Sequence, residues 1–400
     1  MAQQGRAYLS IPGPSVMPDR VLAAMQRAAP NIYHGALPEM VAGLIPDLRA
    51  VAQTTTAHVA LYTSNGHGLW EAALTNLFSR GDKVLVLATG RFAEGWGNYA
   101  RALGLEVEQI DFGKQGHVQA ERVTATLDAD RARRIRAILV VQVDTASSVR
   151  NDIAELRRAI DATGHPALLM VDCIASLGCD MFHMDAWGVD LVLAASQKGL
   201  MTPPGLGFIW FNDRVLQEGR DAGLRTPFWD WRQRIAAQEF YQYFGGTAPT
   251  HHLFALREAL NMLVHEEGLS AAWARHARLA RAVWAAVETW GRVEGGMALN
   301  IADPGRRAHA VTSVSIPAPG ATSIRDWVER HAEVTLGIGL GMAPPGDPAW
   351  HGFFRIAHMG HVNAHMVMGA LGAIDGALKA LALPHGAGAL EAASGEIARA

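Results

Sequence analysis

Short apolar runs alternate with segments of helical periodicity through the first two thirds of the 400-residue chain. Runs such as Ala-Ile-Leu-Val-Val and Ala-Leu-Leu-Met-Val contain no polar residue, which is typical of strands buried on both faces. Alternation of such strands with helices is the pattern of a mostly parallel sheet. The sequence therefore predicts an α/β fold with a large three-layer domain, with strands over 83–88, 135–143, 167–172, 190–195 and 207–211 and helices over 69–78, 92–103, 152–163 and 253–267.

The pattern changes after about residue 265. An alanine- and arginine-rich segment predicts a long helix, and the short strand candidates beyond it are separated by loops. We expect residues 1–265 to form an N-terminal segment and the large domain, and residues 266–400 to form a smaller α+β domain. The predicted elements of this part are helices over 269–290 and 367–381, strands near 312–316 and 353–358, and a loose helix or frayed end over 385–400.

Charge and cysteine content exclude several classes of protein. The formal net charge is -3, and the basic residues are scattered, so we expect no nucleic-acid partner and no membrane-surface partner. No apolar run reaches the roughly 18 residues that span a bilayer, and no leader is recognisable at the start. Cys173 and Cys179 are too few for a disulfide framework, which favours a reducing compartment. The cytoplasm is the expected location.

Asp172 and Lys198 stand at the ends of two neighbouring strand candidates. Carboxyl ends of parallel strands meet at one edge of the sheet, where open α/β sheets bind ligands. A lysine that burial holds neutral can react with an aldehyde cofactor, and a carboxylate can keep a pyridine nitrogen protonated. A structural ion pair between Asp172 and Lys198 is the alternative interpretation of the same spacing.

Glycines and small polar residues precede the first predicted helix, in the segment Thr-Ser-Asn-Gly-His-Gly at residues 63–68. Such a helix start presents backbone N–H groups that can bind a phosphate. His67 is suited to contact a ring or the phosphate. A simple N-cap and tight turn would explain the same residues. The segment therefore supports a phosphate site only in combination with Asp172 and Lys198.

Arg355 lies within the strand-like run Phe-Phe-Arg-Ile-Ala-His, which is an unusual place for a charge. A guanidinium there can hold a substrate carboxylate by two parallel hydrogen bonds. The alternative is an arginine on the solvent face of an edge strand.

Other polar and aromatic residues give weaker indications. Phe92 can stack on a ring or belong to the core, and Thr145 can bond a ring hydroxyl or cap a helix. The histidines at 251, 252, 358 and 361 lack the spacing and the acidic companion of a metalloprotease motif, so we expect no metal.

Taken together, these motifs resemble the class V, fold-type I aminotransferases, especially the alanine-glyoxylate and serine-glyoxylate group. The similarity covers nearly the whole chain in the expected order, which is more specific than any single motif. The matching segments are Ile11-Pro-Gly-Pro-Ser15, Asn65-Gly-His-Gly68, Gly90-Arg-Phe92, Val171-Asp-Cys-Ile-Ala-Ser176, Ser196-Gln-Lys-Gly199, Pro203-Pro-Gly205 and Phe354-Arg-Ile356.

The resemblance implies a fold-type I transferase with pyridoxal 5'-phosphate as cofactor. Lys198 would be the Schiff-base lysine and proton carrier, Asp172 would pair with the pyridine nitrogen, and Arg355 would hold the substrate carboxylate. The site would be completed across a homodimer, and Pro12, Gly13 and Tyr33 would line the substrate mouth. Further cofactor-binding positions implied by the family are Asn65, Gly66, His67 and Gln197 near the phosphate, Phe92 on the ring, Thr145 near its hydroxyl, and Tyr243 and Thr247 from the partner.

This chain departs from the family pattern at three places. Phe92 stands where many relatives carry tryptophan, and the usual tyrosine before the partner-phosphate threonine is displaced to Tyr243 or replaced by Phe244. Ser148 stands where relatives usually have glycine.

The function that the resemblance implies is transfer of an amino group from a small amino acid, such as serine or alanine, to glyoxylate or another small 2-oxo acid. A pyridoxamine-pyruvate type transaminase and a pyridoxal-phosphate lyase remain alternatives on the same fold. A nicotinamide dehydrogenase would need Gly-x-Gly-x-x-Gly after the first strand, and residues 66–68 lack the third glycine. A non-catalytic binding module is the remaining alternative.

Overall fold

A computed structural model describes residues 5–399 of the chain. Its larger sheet has seven strands in the order β2-β10-β9-β8-β5-β3-β4. Strand β10 runs antiparallel to both neighbours, and the other pairs are parallel. The strands of this chain, including those of the second sheet, are β1 Tyr8–Ser10, β2 His58–Ser64, β3 Lys83–Ala88, β4 Glu106–Asp111, β5 Ile135–Val141, β6 Val143–Asp144, β7 Val149–Arg150, β8 Leu168–Asp172, β9 Leu191–Ala195, β10 Gly205–Phe211, β11 Ala298–Leu299, β12 Val311–Ser315, β13 Val334–Ile338 and β14 Phe353–Ala357.

Helices cover both faces of the larger sheet, because its central strands are apolar on both sides. Two separate apolar clusters result: Val140 and Leu169 belong to one, and Leu139 and Met170 belong to the other. The three-layer arrangement expected from the sequence is confirmed. The helices are α1 Asp19–Met25, α2 Ala36–Ala42, α3 Leu44–Ala52, α4 Gly66–Leu77, α5 Arg91–Ala102, α6 Ala120–Ala129, α7 Ile153–Thr163, α8 Asp213–Glu218, α9 Trp231–Ile235, α10 Thr250–Leu260, α11 Leu269–Trp290, α12 Gly320–Ala332, α13 Ala364–Ala380 and α14 Ala389–Ala398.

The second sheet has five strands in the order β1-β13-β14-β12-β11. Strand β1 comes from the start of the chain and pairs in parallel with β13, so residues 8–10 join the sheet of the C-terminal part. Helices α11 to α14 pack around this sheet in a core of its own. The division at residues 265 and 266 stays a prediction.

Several sequence expectations need correction. The helix expected over 253–267 ends at Leu260 and continues as a π-helix over Asn261–Glu267. Of the two alternatives left open for residues 385–400, a loose helix or a frayed end, the structure forms a helix: α14 buries Ala389 and Ala393 in the second core. Strands β2 and β4 were not expected. Strand β4 lies at the sheet edge and exposes Glu106, Gln109 and Asp111, so its sequence lacks a continuous apolar run.

No helix in the described range 5–399 is long and apolar enough to cross a membrane. Both cysteines are buried free thiols.

Candidate active site

A cavity of about 290 Å³ opens at the carboxyl ends of the parallel strands β5, β8 and β9. This is the edge where the sequence predicted Asp172 and Lys198 to meet. Nine residues expected from the sequence line it together. The lining consists of Gly13, Pro14, Asn65, Gly66, His67, Trp70, Phe92, Val141, Val143, Thr145, Asp172, Ile174, Ala175, Gln197, Lys198 and Pro204.

Lys198 follows β9 and its amine is covered by the N-terminal segment. Its Nζ donates a hydrogen bond to the carbonyl oxygen of Pro12. Gly13 has a φ of +102°, and a side chain at this position would overlap the Lys198 amine, so a glycine is required there. Burial lowers the pKa of Lys198 to about 8, and the nearby positive charge of Arg355 acts in the same direction. Near neutral pH, part of the population therefore has an uncharged, nucleophilic amine.

Asp172 ends β8 at the bottom of the cavity and is buried. Its two carboxyl oxygens accept hydrogen bonds of 2.7 Å, one from the backbone N–H of Ile174 and one from the indole N–H of Trp70. Burial raises the pKa of Asp172 to about 7, although both hydrogen bonds favour the ionised form. A cation beside this carboxyl, such as a protonated pyridine, would offset the cost of burying its charge.

Trp70 is a site residue that the sequence analysis missed. It lies on the buried face of α4, where a tryptophan in an apolar helix is indistinguishable from an ordinary core residue. Its ring also meets the ring of His67 at a centroid distance of 4.7 Å. The sequence signal that could have identified Trp70 as a site residue is its position three residues after His67, on the same helix face.

Asp172 and Lys198 act on each other through the cavity without direct contact. No ion pair within 4 Å joins them in the described part of the chain, so the structural ion pair considered from the sequence is not formed. Their opposite charges still influence each other's pKa. The space between them is available to a ligand.

The start of α4 is capped by Asn65, whose side-chain oxygen accepts from the backbone N–H groups of His67 and Gly68 at 3.1 and 3.3 Å. The N-cap considered from the sequence is therefore real, and Gly66 and His67 nevertheless line the cavity. Burial lowers the pKa of His67, which favours its neutral form. The buried side-chain oxygen of Gln197 has no hydrogen-bond partner among residues 5–399, so its amide remains available to a ligand.

Phe92 lies in the first turn of α5, and a buried carboxyl fixes that turn. The side chain of Asp144 accepts from the backbone N–H groups of Phe92 and Ala93 at 2.8 and 3.3 Å. A side chain at Gly90 would come within 2.5 Å of this carboxyl, which explains the glycine. Burial raises the pKa of Asp144. Thr145, which follows directly, lines the cavity as expected.

Arg355 occupies β14, which lies between β13 and β12, so the edge-strand alternative is wrong. The residue is 5% exposed. Its Nη1 donates to the carbonyl oxygen of Thr145 at 3.0 Å, and its Nε donates to that of Ile338 at 2.7 Å. Burial lowers its pKa to about 10, which still leaves it charged at neutral pH. Two carbonyls thus hold a charged guanidinium next to a cavity-lining residue.

A single chain does not bring Tyr33, Tyr243 and Thr247 to this cavity. Tyr33 is 84% exposed, and it shares a separate surface depression with Thr247. Tyr243 packs against the core of the larger domain, and its carbonyl accepts from Arg234. Within one chain, Tyr33 therefore does not lie at the substrate mouth.

The cavity thus combines a lysine of lowered pKa, a buried carboxyl and a helix start, and the Arg355 guanidinium is bonded to the backbone of its lining residue Thr145. The family model for class V aminotransferases matches residues 7–318. The chain belongs to the class V aminotransferase family. The polar groups described above fit pyridoxal 5'-phosphate, which is the cofactor of this transaminase.

Relatives named as glyoxylate aminotransferases match almost the whole chain. The serine-glyoxylate aminotransferase of Methylorubrum extorquens is 35% identical over 92% of this chain and 90% of its own length. The L-aspartate-glyoxylate aminotransferase of Paracoccus denitrificans is 33% identical over 94% of this chain and 91% of its own. The crystal structure of ureidoglycine-glyoxylate aminotransferase from Bacillus subtilis has a TM-score of 0.88 at 22% identity, covering 99% of both chains. The fold-type I architecture is confirmed.

Proposed function

We propose that this class V aminotransferase moves an amino group from a small amino acid, such as serine or alanine, to glyoxylate or another small 2-oxo acid. The named activities of its relatives support glyoxylate as acceptor and leave the donor open, since serine and aspartate both occur among them. The observation that carries the proposal is the cavity in which Lys198 and Asp172 lie on either side of a space suited to the cofactor, close to Arg355.

Lys198 is the residue that we assign to proton movement. Its amine, with a pKa of about 8, is suited to take a proton from the substrate Cα and to return it at the other end of the reaction. Bound pyridoxal phosphate supplies the electron sink for the charge left at Cα. Asp172 holds the proton on the pyridine nitrogen, because a buried carboxylate is most stable beside a cation.

Arg355 is the residue that we assign to the substrate carboxylate. Thr145 and Ile338 accept hydrogen bonds from Nη1 and Nε, and the second terminal nitrogen, Nη2, remains for the substrate. Amino donor and oxo-acid acceptor both carry a carboxylate next to the reacting carbon. One guanidinium can therefore orient both substrates in turn, as a two-stage reaction at one site requires.

The donor is tested by adding amino acids one at a time to the yellow holoenzyme and following its visible band. Serine or alanine should bleach the band, and glyoxylate should restore it with formation of one glycine per site. Ethanolamine, which is serine without its carboxylate, serves as the matched control and should react about 10²-fold or more slowly. Consumption of the amino acid without lasting bleaching and without formation of a new amino acid would favour a lyase. Formation of alanine and pyridoxal from pyruvate and pyridoxamine by the cofactor-free protein would favour the pyridoxamine-pyruvate type.

We further propose that the enzyme is a homodimer whose sites are completed by the partner subunit. Tyr33 and Thr247 support this, because they form an exposed surface away from the cavity of their own chain. A second copy seated there would bring the hydroxyl of Thr247 to the phosphate end of the opposite site. A symmetric dimer would complete two sites by the same contact.

Mixing two inactive variants tests this arrangement. Lys198→Ala and Thr247→Glu subunits are each expected to be nearly inactive, because the first lacks the amine and the second repels the phosphate. In a mixed dimer one site receives both intact residues, so random mixing should restore about one quarter of wild-type activity. Failure to regain activity, with mixed dimers shown by native mass spectrometry, would place Thr247 outside the partner's site.

A further inference from the structure

Ser148 has a backbone conformation that serine rarely adopts. Its φ is +62°, and the residue is 4% exposed, at the turn between β6 and β7. The left-handed region favours glycine, because a side chain is strained there. A serine persists in such a conformation when its surroundings hold it there.

The N–H, the carbonyl oxygen and the hydroxyl oxygen of Ser148 each take part in a hydrogen bond. Its N–H donates to the carbonyl oxygen of Asp144 at 2.7 Å, and its own carbonyl accepts from the N–H of Ala308 at 3.0 Å. Its hydroxyl oxygen accepts from the backbone N–H of Ser313 at 3.0 Å, within the buried interior. Ala308 and Ser313 lie in the C-terminal part of the chain, so Ser148 connects the turn to the second sheet.

The connection ends directly beside Arg355. Ser313 on β12 lies opposite Arg355 on β14 in the antiparallel pairing. Arg355 in turn donates to the carbonyl oxygen of Thr145, three residues before Ser148. The two ends of this four-residue turn are therefore bonded to two residues that face each other across the second sheet.

We propose that Ser148 is a positioning residue that sets, through the N–H of Ser313, where the Arg355 guanidinium lies relative to the cavity. This inference rests on the proposed role of Arg355 in binding the substrate carboxylate. A glycine at 148 would fit the backbone conformation better, yet it would leave the buried N–H of Ser313 without its acceptor. The turn that carries Thr145, and with it the anchor of Arg355, would then no longer be fixed to β12.

Ser148→Gly is expected to fold with a thermal midpoint close to that of the wild type, since the relaxed backbone offsets the lost hydrogen bond. The KM values for amino donor and glyoxylate should both rise about tenfold, with kcat changed by less than about twofold, because the carboxylate is bound alike before and during the reaction. Ala382→Gly is the matched control. Ala382 has a φ of +51° on an exposed turn, and relaxing it should leave both KM values unchanged.

Ser148→Ala separates the hydrogen bond from the backbone effect, because alanine keeps the unfavourable φ and lacks the acceptor. It should raise both KM values as Ser148→Gly does. Wild-type KM values in either variant would overturn the inference. Arg355→Gln separates a wrong positioning role of Ser148 from a wrong role of Arg355. Unchanged KM values in Arg355→Gln would contradict the binding of the substrate carboxylate by Arg355. Raised KM values in Arg355→Gln, together with wild-type KM values in the Ser148 variants, would contradict only the positioning role.

Discussion

Lys198→Ala is expected to lower turnover by about 10⁴-fold or more and to abolish the visible band of the lysine-bound cofactor. The variant loses both the nucleophilic amine and the group that we assign to moving the proton at Cα. It should still fold, because alanine removes a buried charge whose pKa is lowered by burial. Steady-state kinetics with serine and glyoxylate, together with an absorbance spectrum, measure both effects.

Lys379→Ala is the matched control for this substitution. Lys379 lies on the outer face of α13, where it pairs with Asp375 one turn away. Exposed pairs of this kind contribute little to stability, so activity and spectrum should remain those of the wild type. Normal transamination in Lys198→Ala would show that the reaction uses a different amine.

Asp172→Asn is expected to lower kcat by about 10²- to 10³-fold, which is the usual cost of removing one preorganised electrostatic group. Asparagine keeps the size of the side chain but cannot hold a proton on the pyridine nitrogen by its charge. The lysine-bound cofactor should still form, because Lys198 is intact. A visible band with slow turnover is therefore the expected combination, and wild-type kcat would contradict the role of the carboxylate.

The same substitution should change how stability depends on pH in the cofactor-free protein. The pKa of Asp172 is raised to about 7 from an ordinary value of 3.8, so the folded state holds this proton more tightly than the unfolded state. Its contribution to stability is fully present below about pH 4 and is lost as the pH rises through 7. At about 1.4 kcal/mol per pKa unit, the loss amounts to a few kcal/mol.

Urea unfolding of the cofactor-free proteins at pH 5 and pH 8 measures this loss. The free energy of unfolding of the wild type should fall more between these values than that of Asp172→Asn, which has no carboxyl to titrate at this position. Equal slopes in the two proteins would mean that Asp172 is not buried as described.

The sequence predicted those elements whose local pattern matches their tertiary environment. Strand β3 and helix α11 have the expected bounds, because the apolar run over 83–88 and the helical period over 269–290 are unambiguous. Strand β10 was expected, but its antiparallel direction was not, since a strand's direction depends on connections outside it. The pairing of β1 with β13 joins residues more than 320 positions apart and leaves no local signal.

The candidate site could likewise be predicted only in part from the sequence. Asp172, Lys198 and the start of α4 could be placed at one edge, because parallel strands and a helix start fix where these residues lie. The contact between Trp70 and Asp172 could not be predicted, because a tryptophan on an apolar helix face has the same pattern as an ordinary core residue. The backbone conformation of Ser148 also has no signature in the sequence beyond the departure from glycine. The role of its hydroxyl depends on the hydrogen bond from the N–H of Ser313, which is distant in the chain.

Reduction of the yellow holoenzyme with borohydride, followed by proteolysis and mass spectrometry, tests the central claim most directly. The chain has four lysines, so the assignment is unambiguous. We predict that the reduced cofactor is found on the peptide containing Lys198 and that the visible band disappears at one label per chain. A label on Lys83, Lys114 or Lys379, or no stable label at all, would contradict the account.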